Sequence, residues 1–163
     1  MSTEDNNWQE SFSVRMQNID NQSKKKRRMS VEDMEWLDLY SVDIESIDDQ
    51  HKEIVSLINV LHDAMRSQTV DNRLLTDLVD QLSNYTQYHF AYEEMFFLKY
   101  KYAGGETHKK LHRDFIHKIN SFKKDLSVEL SYEISSFLKT WLVDHIIGTD
   151  KKYVKFLKAH GVT

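Results

Sequence analysis

Four stretches of this chain repeat apolar residues at intervals of three and four, and this spacing constrains the fold more than any other feature. The first stretch steps through Ile47, His51, Ile54, Ile58, Leu61 and Met65. The others step through Leu78, Leu82, Tyr85, His89, Glu93, Phe96 and Tyr100, through His108, His112, Phe115, Ile119, Phe122 and Leu126, and through Ile134, Leu138, Trp141 and His145. Residues three and four apart share one face of an α-helix. The pattern therefore predicts four amphipathic helices.

The connections between these stretches are short, which favours an antiparallel, up-down four-helix bundle. Asp48 or Ser46 is predicted to cap the first helix. The second helix is expected over residues 71–102, up to a pair of glycines, and the third over residues 106–124. The chain contains no proline, a residue that breaks or kinks a helix, so long uninterrupted helices are expected. The sequence thus predicts an all-α fold.

Two further segments flank the predicted bundle. Residues 34–44 carry large apolar groups but are too short and irregular for a bundle helix, so we expect an N-terminal arm laid across the domain. Residues 151–160 are basic and amphipathic, and we expect a short C-terminal helix whose apolar residues are Tyr153, Val154, Phe156 and Leu157. A chain of 163 residues suits one domain, and we assign residues 34–163 to the bundle domain.

Residues 1–33 differ from the rest of the chain in composition. They are rich in Ser, Asn, Gln and charge and show no sustained apolar period, which is typical of a disordered N-terminal extension. A basic run within them consists of Lys24, Lys25, Lys26, Arg27 and Arg28. This run is expected either to be a solvated linker or to contact an acidic partner, RNA or membrane lipid.

Composition excludes several classes of protein. The chain has no cysteine, which excludes disulfides, zinc-finger cages and thiolate catalysis. Its formal net charge is −4 at pH 7, so no nucleic-acid partner is expected overall. No apolar run approaches the roughly 18 residues of a membrane span, and the N-terminus lacks an apolar signal core. We therefore expect a cytoplasmic protein.

Polar side chains occupy core positions in all four stripes. Five histidines lie there, together with one carboxylate: His51, His89, His108, His112, His145 and Glu93. A single histidine on an apolar helix face is usually a satisfied core residue, but a buried carboxylate must be neutralised, paired or bound to metal. Because side chains from facing helices of a bundle converge on metal ions, the pattern predicts a metal site. Imidazole suits iron, copper, nickel and zinc, so the ligand type leaves the metal open.

Three histidines fall outside the stripes. His62 lies one residue away from the first stripe and is predicted to be a surface or boundary residue. His117 lies two residues after Phe115 and is predicted to face solvent. His160 lies in the C-terminal tail. None of the three is expected to bind the metal.

Asp150 follows His145 by five residues, which corresponds to about 140° around a regular helix. The two side chains can share a site only if the helix is distorted between them. Gly148 lies in this interval, and glycine is where a helix most easily ends or distorts. We therefore predict that the fourth helix loosens near Gly148 and turns Asp150 back towards the histidines.

The complete set of motifs resembles that of the hemerythrin family. The matching motifs are His51 in the sequence IDDQHK at 47–52, HFAYE at 89–93, HKKLH at 108–112 and HIIGTD at 145–150. The stretch from Trp141 to Tyr153 is also similar to that family. The resemblance covers about residues 34–157 and points to the single-domain bacterial branch, the bacteriohemerythrins. One departure is Asp43, where many bacterial members have glycine before the first helix.

The resemblance implies a non-heme di-iron centre that binds dioxygen reversibly, for storage, delivery or sensing, and hence a binding protein and not an enzyme. It assigns His108, His112 and His145 to one iron and His51 and His89 to the other. Glu93 and Asp150 would bridge the two irons, together with an oxo or hydroxo group. The iron with two histidines would keep an open position for dioxygen. Dinuclear zinc, a di-iron enzyme acting on peroxide or nitric oxide, and an iron-storage module remain alternatives.

Several residues are expected to surround the metal ligands. Four apolar ones adjoin ligand positions and are predicted to line a dry dioxygen pocket: Phe90, Trp141, Leu142 and Ile146. Excluding water from such a pocket slows the loss of bound oxygen as peroxide. Ordinary core packing is the alternative reason for these four side chains. Candidates to orient the histidine rings by hydrogen bonds are Asp48, Gln50, Tyr88 and Tyr92.

Overall fold

The computed structural model describes residues 32–67 and 71–163, which belong to one compact unit, Val31–Thr163. The helices are α1 (Glu45–Arg66), α2 (Asn72–Tyr100), α3 (Gly105–Lys123), α4 (Val128–His145) and α5 (Lys151–Ala159). A 3₁₀ turn spans Asp38–Tyr40, and a π-helical turn, Ile146–Asp150, joins α4 to α5. The described ranges contain no β-strand, which confirms the all-α prediction. The predictions for the N-terminal extension and its basic run fall outside this part of the chain, apart from residues 32 and 33.

Helices α1 to α4 form the bundle. Helix α1 packs against α2 and α4, and α3 packs against the same two helices. Large side chains between them exclude water, including Ile47, Ile58, Leu82, Ile119, Ile134 and Leu138, each at most 2% exposed. None of the described helices is long and apolar enough to cross a membrane. The apolar stripes of the sequence therefore correspond to the interior of the bundle.

Two bundle helices, α2 and α4, begin with a side-chain cap, whereas α1 and α3 do not. Asp71 accepts a hydrogen bond from the backbone N–H of Leu74, and Ser127 accepts one from Leu130, as expected of N-cap residues. The predicted capping of α1 by Asp48 or Ser46 is wrong, because α1 begins earlier, after Ile44, with no side-chain cap.

Asp48 holds the N-terminal arm in place. Its carboxylate accepts a hydrogen bond of 2.7 Å from the N–H of Val42 and one of 2.6 Å from the hydroxyl of Ser41. At the other end of the arm, the backbone N–H of Met34 donates to Oδ1 of Asn59, at 2.7 Å. The backbone carbonyl of Met34 accepts a hydrogen bond from Nδ2 of the same side chain, at 2.9 Å. The arm is thus fixed to α1 at both ends, and between them the ring of Trp36 stacks beside His51.

The arm turns into α1 through Asp43, whose backbone φ is 55°. This left-handed conformation costs a residue with a Cβ atom more than glycine, although aspartate tolerates it better than most. The position is the one at which the sequence departs from the glycine of many bacterial hemerythrins. Here the left-handed position carries a charged residue, whose Oδ2 also lies 3.3 Å from Nζ of Lys158 in α5.

Helix α2 ends two residues earlier than predicted. Lys101 adopts the left-handed conformation, with a φ of 58°, and its N–H bonds to the carbonyl of Phe97. This is the usual way for a helix to end, but a lysine takes the place that glycine most often fills. Helix α3 then starts at Gly105, close to the predicted boundary.

The prediction that His62 lies at the surface or the boundary is wrong. Its side chain is 1% exposed and faces α4, where the Oγ of Ser135 lies 2.5 Å from its Nε2. Helix α1 packs against two helices, so its buried face is wider than the stripe of Ile47 to Met65 that defined it. His117, in contrast, is exposed, as predicted.

Candidate metal centre

Seven polar side chains from the four bundle helices and the π turn converge at one end of the bundle. Each of the seven is at most 5% exposed: His51, His89, Glu93, His108, His112, His145 and Asp150. They are the seven candidates that the sequence analysis put forward. Six of them form two groups that could hold a metal ion, one of Glu93, His108, His112 and His145, the other of His51, His89 and Glu93. The seventh, Asp150, lies within 3.4 Å of histidines from both groups.

The first group gathers three imidazoles around His145. The Nε2 atom of His145 lies 3.0 Å from that of His108 and 3.1 Å from that of His112. Helix α3 supplies two of these rings because residues four apart point the same way. The three nitrogens therefore face one point between α3 and α4.

The second group pairs α1 with α2. The Nε2 atoms of His51 and His89 lie 3.1 Å apart. Both rings come from stripes of mainly apolar residues, and both are buried in the core. Two nitrogens face one point here, compared with three in the first group.

Both carboxylates lie between the two groups. Glu93 directs Oε2 at His112, 3.3 Å away, and Oε1 at His89, 3.7 Å away. Asp150 directs Oδ1 at His145, 3.1 Å away, and Oδ2 at His51, 3.4 Å away. Each carboxylate thus offers one oxygen to each group. This is the arrangement of bridging ligands between two cations.

The π turn explains how Asp150 reaches the site. A π turn closes hydrogen bonds over five residues, so positions five apart lie on nearly the same side. This places Asp150 next to His145, whereas a regular helix would separate the two. The distortion predicted near Gly148 is therefore present. It is a turn that contains one residue more than a regular α-helical turn. A π turn inside a helix is frequently found at a functional site.

The carboxylates are ionised in this environment. Burial and the charge of Asp150 raise the pKa of Glu93, but His89, His108 and His112 outweigh both, so its pKa is lowered. The pKa of Asp150 is likewise lowered well below its usual value, because His145 and His108 outweigh the effect of burial. Two negative charges are therefore enclosed in the bundle, and such charges need a compensating cation.

The histidines respond unequally to this field. Burial lowers the pKa of His89 to about 3, so its ring is neutral. Burial also disfavours the charged form of His108, but the adjacent carboxylates of Asp150 and Glu93 outweigh it and raise its pKa to about 9. Without metal, part of the enclosed negative charge is thus balanced by a proton on His108, and a bound cation would take the place of that proton.

Unpartnered polar atoms show that the seven residues fit metal ions. Glu93 Oε2 and both carboxylate oxygens of Asp150 are buried and have no hydrogen-bond partner of good geometry within the described part of the chain. Native structures rarely leave such atoms unsatisfied. A metal pair between the two groups would satisfy all three oxygens.

The nitrogen spacing also bears on metal binding. A cation that bonds nitrogen at about 2.1 Å sets neighbouring ligands about 3.0 Å apart in an octahedron and about 3.4 Å apart in a tetrahedron. The spacings here are 3.0 to 3.1 Å. Nitrogens this close together can share one metal ion, and ligand spacing alone leaves the metal open.

Three outer residues hold the ligands in position. The Nδ1 atom of His89 lies 3.1 Å from Oε1 of Gln50, and that of His112 lies 2.9 Å from Oε1 of Glu94. The hydroxyl of Tyr153, on α5, donates to Oε1 of Glu93. Such partners fix the orientation of metal ligands and tune their basicity.

The sequence identified only part of this outer set. Gln50 was among the predicted hydrogen-bond partners of the histidine rings, and it does contact His89. Asp48 was also a candidate, but its carboxylate binds the N-terminal arm and not a histidine. Glu94 and Tyr153 were missed as partners. A carboxylate directly after a ligand position was the available signal for Glu94, whereas the role of Tyr153 depends on how α5 folds back onto α2.

A small cavity adjoins the second group. The cavity has a volume of about 10 Å³, measured as the space open to the centre of a water-sized sphere. This is room for about one water-sized molecule. Its wall includes His51 and His89 of the second group and His145 of the first, and it is otherwise mainly apolar. Of the predicted pocket residues, Phe90, Trp141 and Leu142 contribute to it. The fourth candidate, Ile146, is fully buried but does not form part of this wall.

Comparisons with known proteins agree with this geometry. Residues 42–157 match the hemerythrin HHE cation-binding domain. A bacteriohemerythrin of Pseudomonas paraeruginosa is 33% identical over 106 residues, which are 64% of this chain and 68% of that protein. A hemerythrin-like protein of Naegleria gruberi is 35% identical over 103 residues, which are 63% of this chain and 76% of that protein.

Solved structures give the same result. A wild-type hemerythrin crystal structure has a TM-score of 0.66 and 27% sequence identity, and the alignment covers 75% of this chain and 95% of that chain. A crystal structure of a hemerythrin point mutant also has a TM-score of 0.66, with 26% identity and coverage of 78% and 97%. The family match spans most of the described bundle and includes all seven buried candidates. The chain belongs to the hemerythrin family.

Proposed function

We propose that the protein binds dioxygen reversibly at a pair of non-heme iron ions. His108, His112 and His145 would hold one iron, and His51 and His89 the other. Glu93 and Asp150 would bridge the pair, together with an oxo or hydroxo group. When bound, the two irons supply the electrons that allow dioxygen to bind and leave again.

The position of the cavity carries this proposal. The first group offers three nitrogens and two carboxylate oxygens, and the second offers two nitrogens and two oxygens. With one shared bridging group, six-coordinate ions would be complete on the three-histidine side and one ligand short on the other. The cavity has both histidines of the second group, His51 and His89, in its wall, but only His145 of the first. The available space therefore lies mainly beside the group that would lack a ligand.

The surrounding residues suit binding more than turnover. The cavity wall is mostly aromatic and aliphatic, which keeps water and protons away from the site. Two carboxylates are few compared with the four glutamates of the di-iron carboxylate proteins, and fewer anionic ligands stabilise a highly oxidised metal less well. We therefore propose a carrier, store or sensor of oxygen and not an enzyme.

Metal analysis and absorption spectra of the purified protein test this proposal. We expect two irons per chain and a coloured form in air that is lost on deoxygenation and returns on re-exposure to air. Iron without any oxygen-dependent colour would indicate storage instead. Steady turnover of peroxide or nitric oxide would indicate an enzyme, and two zinc ions per chain would exclude the oxygen chemistry.

A further inference from the structure

The outer face of α5 is positively charged and lies directly over the metal centre. Four of its nine residues are lysines, all exposed: Lys151, Lys152, Lys155 and Lys158. The helix contains no acidic residue. Lys158 lies near Asp43, but the other three form no ion pair with any acid in the described part of the chain. In a protein of net charge −4, this is a local concentration of positive charge.

The inner face of the same helix touches the metal ligands. Tyr153 is fully buried and donates to Glu93. The lysines on one face and Tyr153 on the other are separated only by the thickness of one helix, about 10 Å with its side chains. A protein bound to the lysines would therefore come close to the metal ions without entering the bundle.

A series of aromatic rings connects the ligands with this surface. The ring of His108 lies 4.8 Å from that of Phe97, and Phe97 lies 5.3 Å from Tyr102. Tyr102 is half-buried and lies 5.1 Å from Phe156 of α5, which is also half-buried. The series thus runs from a candidate iron ligand to the surface beside Lys152 and Lys155. Electron transfer between proteins falls steeply with distance, and π-systems in contact shorten each step.

We propose that this surface docks an acidic one-electron donor protein, which returns oxidised iron to the oxygen-binding form. The proposal rests on the oxygen-binding function proposed above, because a ferrous pair that meets oxygen is gradually lost to the ferric form. Each encounter moves one electron from the donor to one ferric ion, so two encounters restore two ferrous ions. A bridging oxide takes up a proton from water.

The charge pattern favours this partner over the alternatives. An acidic protein complements the lysines and is steered to them by long-range attraction. An anionic membrane surface would be attracted too, but it has no use for aromatic contacts that lead to the metal site. The combination of the two features selects a partner that exchanges electrons.

The test uses the full chain loaded with iron and a plant-type [2Fe–2S] ferredoxin as an acidic one-electron donor. Binding of oxidised ferredoxin is measured by calorimetry at several salt concentrations. Reduction of the ferric protein by reduced ferredoxin is followed by stopped-flow absorbance without oxygen. Dithionite, a small reductant that needs no docking surface, is used in parallel.

Two charge-reversal variants provide the comparison. Lys152→Glu with Lys155→Glu should weaken ferredoxin binding and slow reduction by roughly ten-fold or more at low salt. Arg73→Glu with Lys124→Glu makes the same change in net charge at the other end of the bundle, where α2 begins and α3 ends. This control should change ferredoxin binding and the rate of reduction by less than about two-fold. Equal effects of the two variants would overturn the docking surface.

Tyr102→Leu tests the aromatic series separately. It should leave ferredoxin binding unchanged and slow reduction by ferredoxin several-fold, whereas Tyr102→Phe, which keeps the ring, should behave like the unmodified protein. Unchanged reduction in a folded Tyr102→Leu variant would overturn the proposed route. Loss of binding to anionic vesicles in the lysine variant, with normal reduction by ferredoxin, would show a membrane contact instead.

The dithionite arm distinguishes the two proposals. If dithionite yields a form that takes up oxygen but ferredoxin does not bind, only the docking proposal is wrong. If dithionite never yields an oxygen-binding form, the oxygen-binding function is wrong, and the binding measurements still report on the lysine surface alone.

Discussion

The hydroxyl of Tyr153 donates a hydrogen bond to Glu93, a residue sixty positions earlier in the chain. Burial and the neighbouring charge of Glu93 raise the pKa of Tyr153 well above its usual value, so the hydroxyl remains a donor at any physiological pH. The C-terminal helix is therefore more than a cover for the bundle. It sets the orientation of a carboxylate that faces both halves of the metal centre.

Tyr153→Phe removes this hydrogen bond while keeping the ring. We expect about a 10- to 100-fold loss of iron affinity, because Glu93 loses the group that orients it. Competition with a chelator measures the change. Tyr132→Phe, at a tyrosine that is 40% exposed, is the control and should leave affinity unchanged. Wild-type affinity in Tyr153→Phe would show that Glu93 is held by the metal alone.

Glu94→Ala removes the anionic partner of His112. The carboxylate lies 2.9 Å from Nδ1 and orients the ring. We expect about a 10- to 100-fold loss of iron affinity, and a smaller loss in Glu94→Gln, which keeps an acceptor. Metal titration followed by absorbance measures both. The exposed Glu53→Ala on α1 should titrate like the unmodified protein, and identical curves for all variants would exclude a role for Glu94.

Leu142→Tyr adds a large group to a cavity that has room for about one water-sized molecule. We expect both irons to bind, since Leu142 is not a ligand, but oxygen affinity and the rate of autoxidation to change. Spectra under controlled oxygen pressure measure both quantities. Leu98→Tyr, at a leucine that is 75% exposed, is the matched control. Oxygen binding and autoxidation that stay the same in Leu142→Tyr would place the oxygen site elsewhere.

Gly148→Ala tests whether the π turn depends on glycine. An added Cβ would have no atom within 4 Å, and the backbone of Gly148 is not in the left-handed region. We therefore expect the site to remain intact and the free energy of unfolding to rise by about 0.5–1 kcal/mol. Denaturant unfolding measures it. Gly161→Ala should instead lose about 1 kcal/mol, because Gly161 has a φ of 79°. A loss of iron in Gly148→Ala would show that the turn does need glycine.

His62 should make stability depend on pH. Burial lowers its pKa, despite the opposing charge of Asp33, so the unfolded chain binds a proton more readily than the folded protein does. Stability should therefore rise with pH up to the unfolded pKa of about 6.5 and then level off. Unfolding of the unmodified protein and of His62→Gln, measured from about pH 5 to about pH 7.5, gives the difference.

In that comparison the ligand histidines titrate in both proteins and cancel. The difference in stability between His62→Gln and the unmodified protein should change with pH below about 6.5 and be constant above it. His117→Gln, at an exposed histidine of α3, is the matched control. A pH-independent difference for His62→Gln would mean that the folded protein accommodates the charged ring.

The periodic stripes were sufficient to predict the bundle and to direct six of the seven polar side chains inward. Each stripe is a local property, since residues three and four apart share a face whatever the rest of the chain does. The distortion before Asp150 was predictable for a different reason. Two residues five apart could meet only if the helix changed its pitch.

The remaining features depend on how the helices are rotated against each other. His62 is buried because α4 covers a second face of α1, and no spacing within α1 reports that. Glu94 reaches His112 because α2 and α3 lie side by side at that point, and Tyr153 reaches Glu93 because α5 folds back. Asp48 resembles a helix cap in sequence, yet its carboxylate oxygens accept hydrogen bonds from the N-terminal arm.

The five-residue turn at Ile146–Asp150 has a consequence for anyone who would rebuild this protein from ideal parts. A designer who assembled the bundle from perfectly regular rods would aim the seventh ligand away from its six companions, and would rotate the lysines and the tyrosine of the last helix along with it. This one irregular turn thus sets the rotation of α5, so that Tyr153 faces the metal centre and the lysines face outwards.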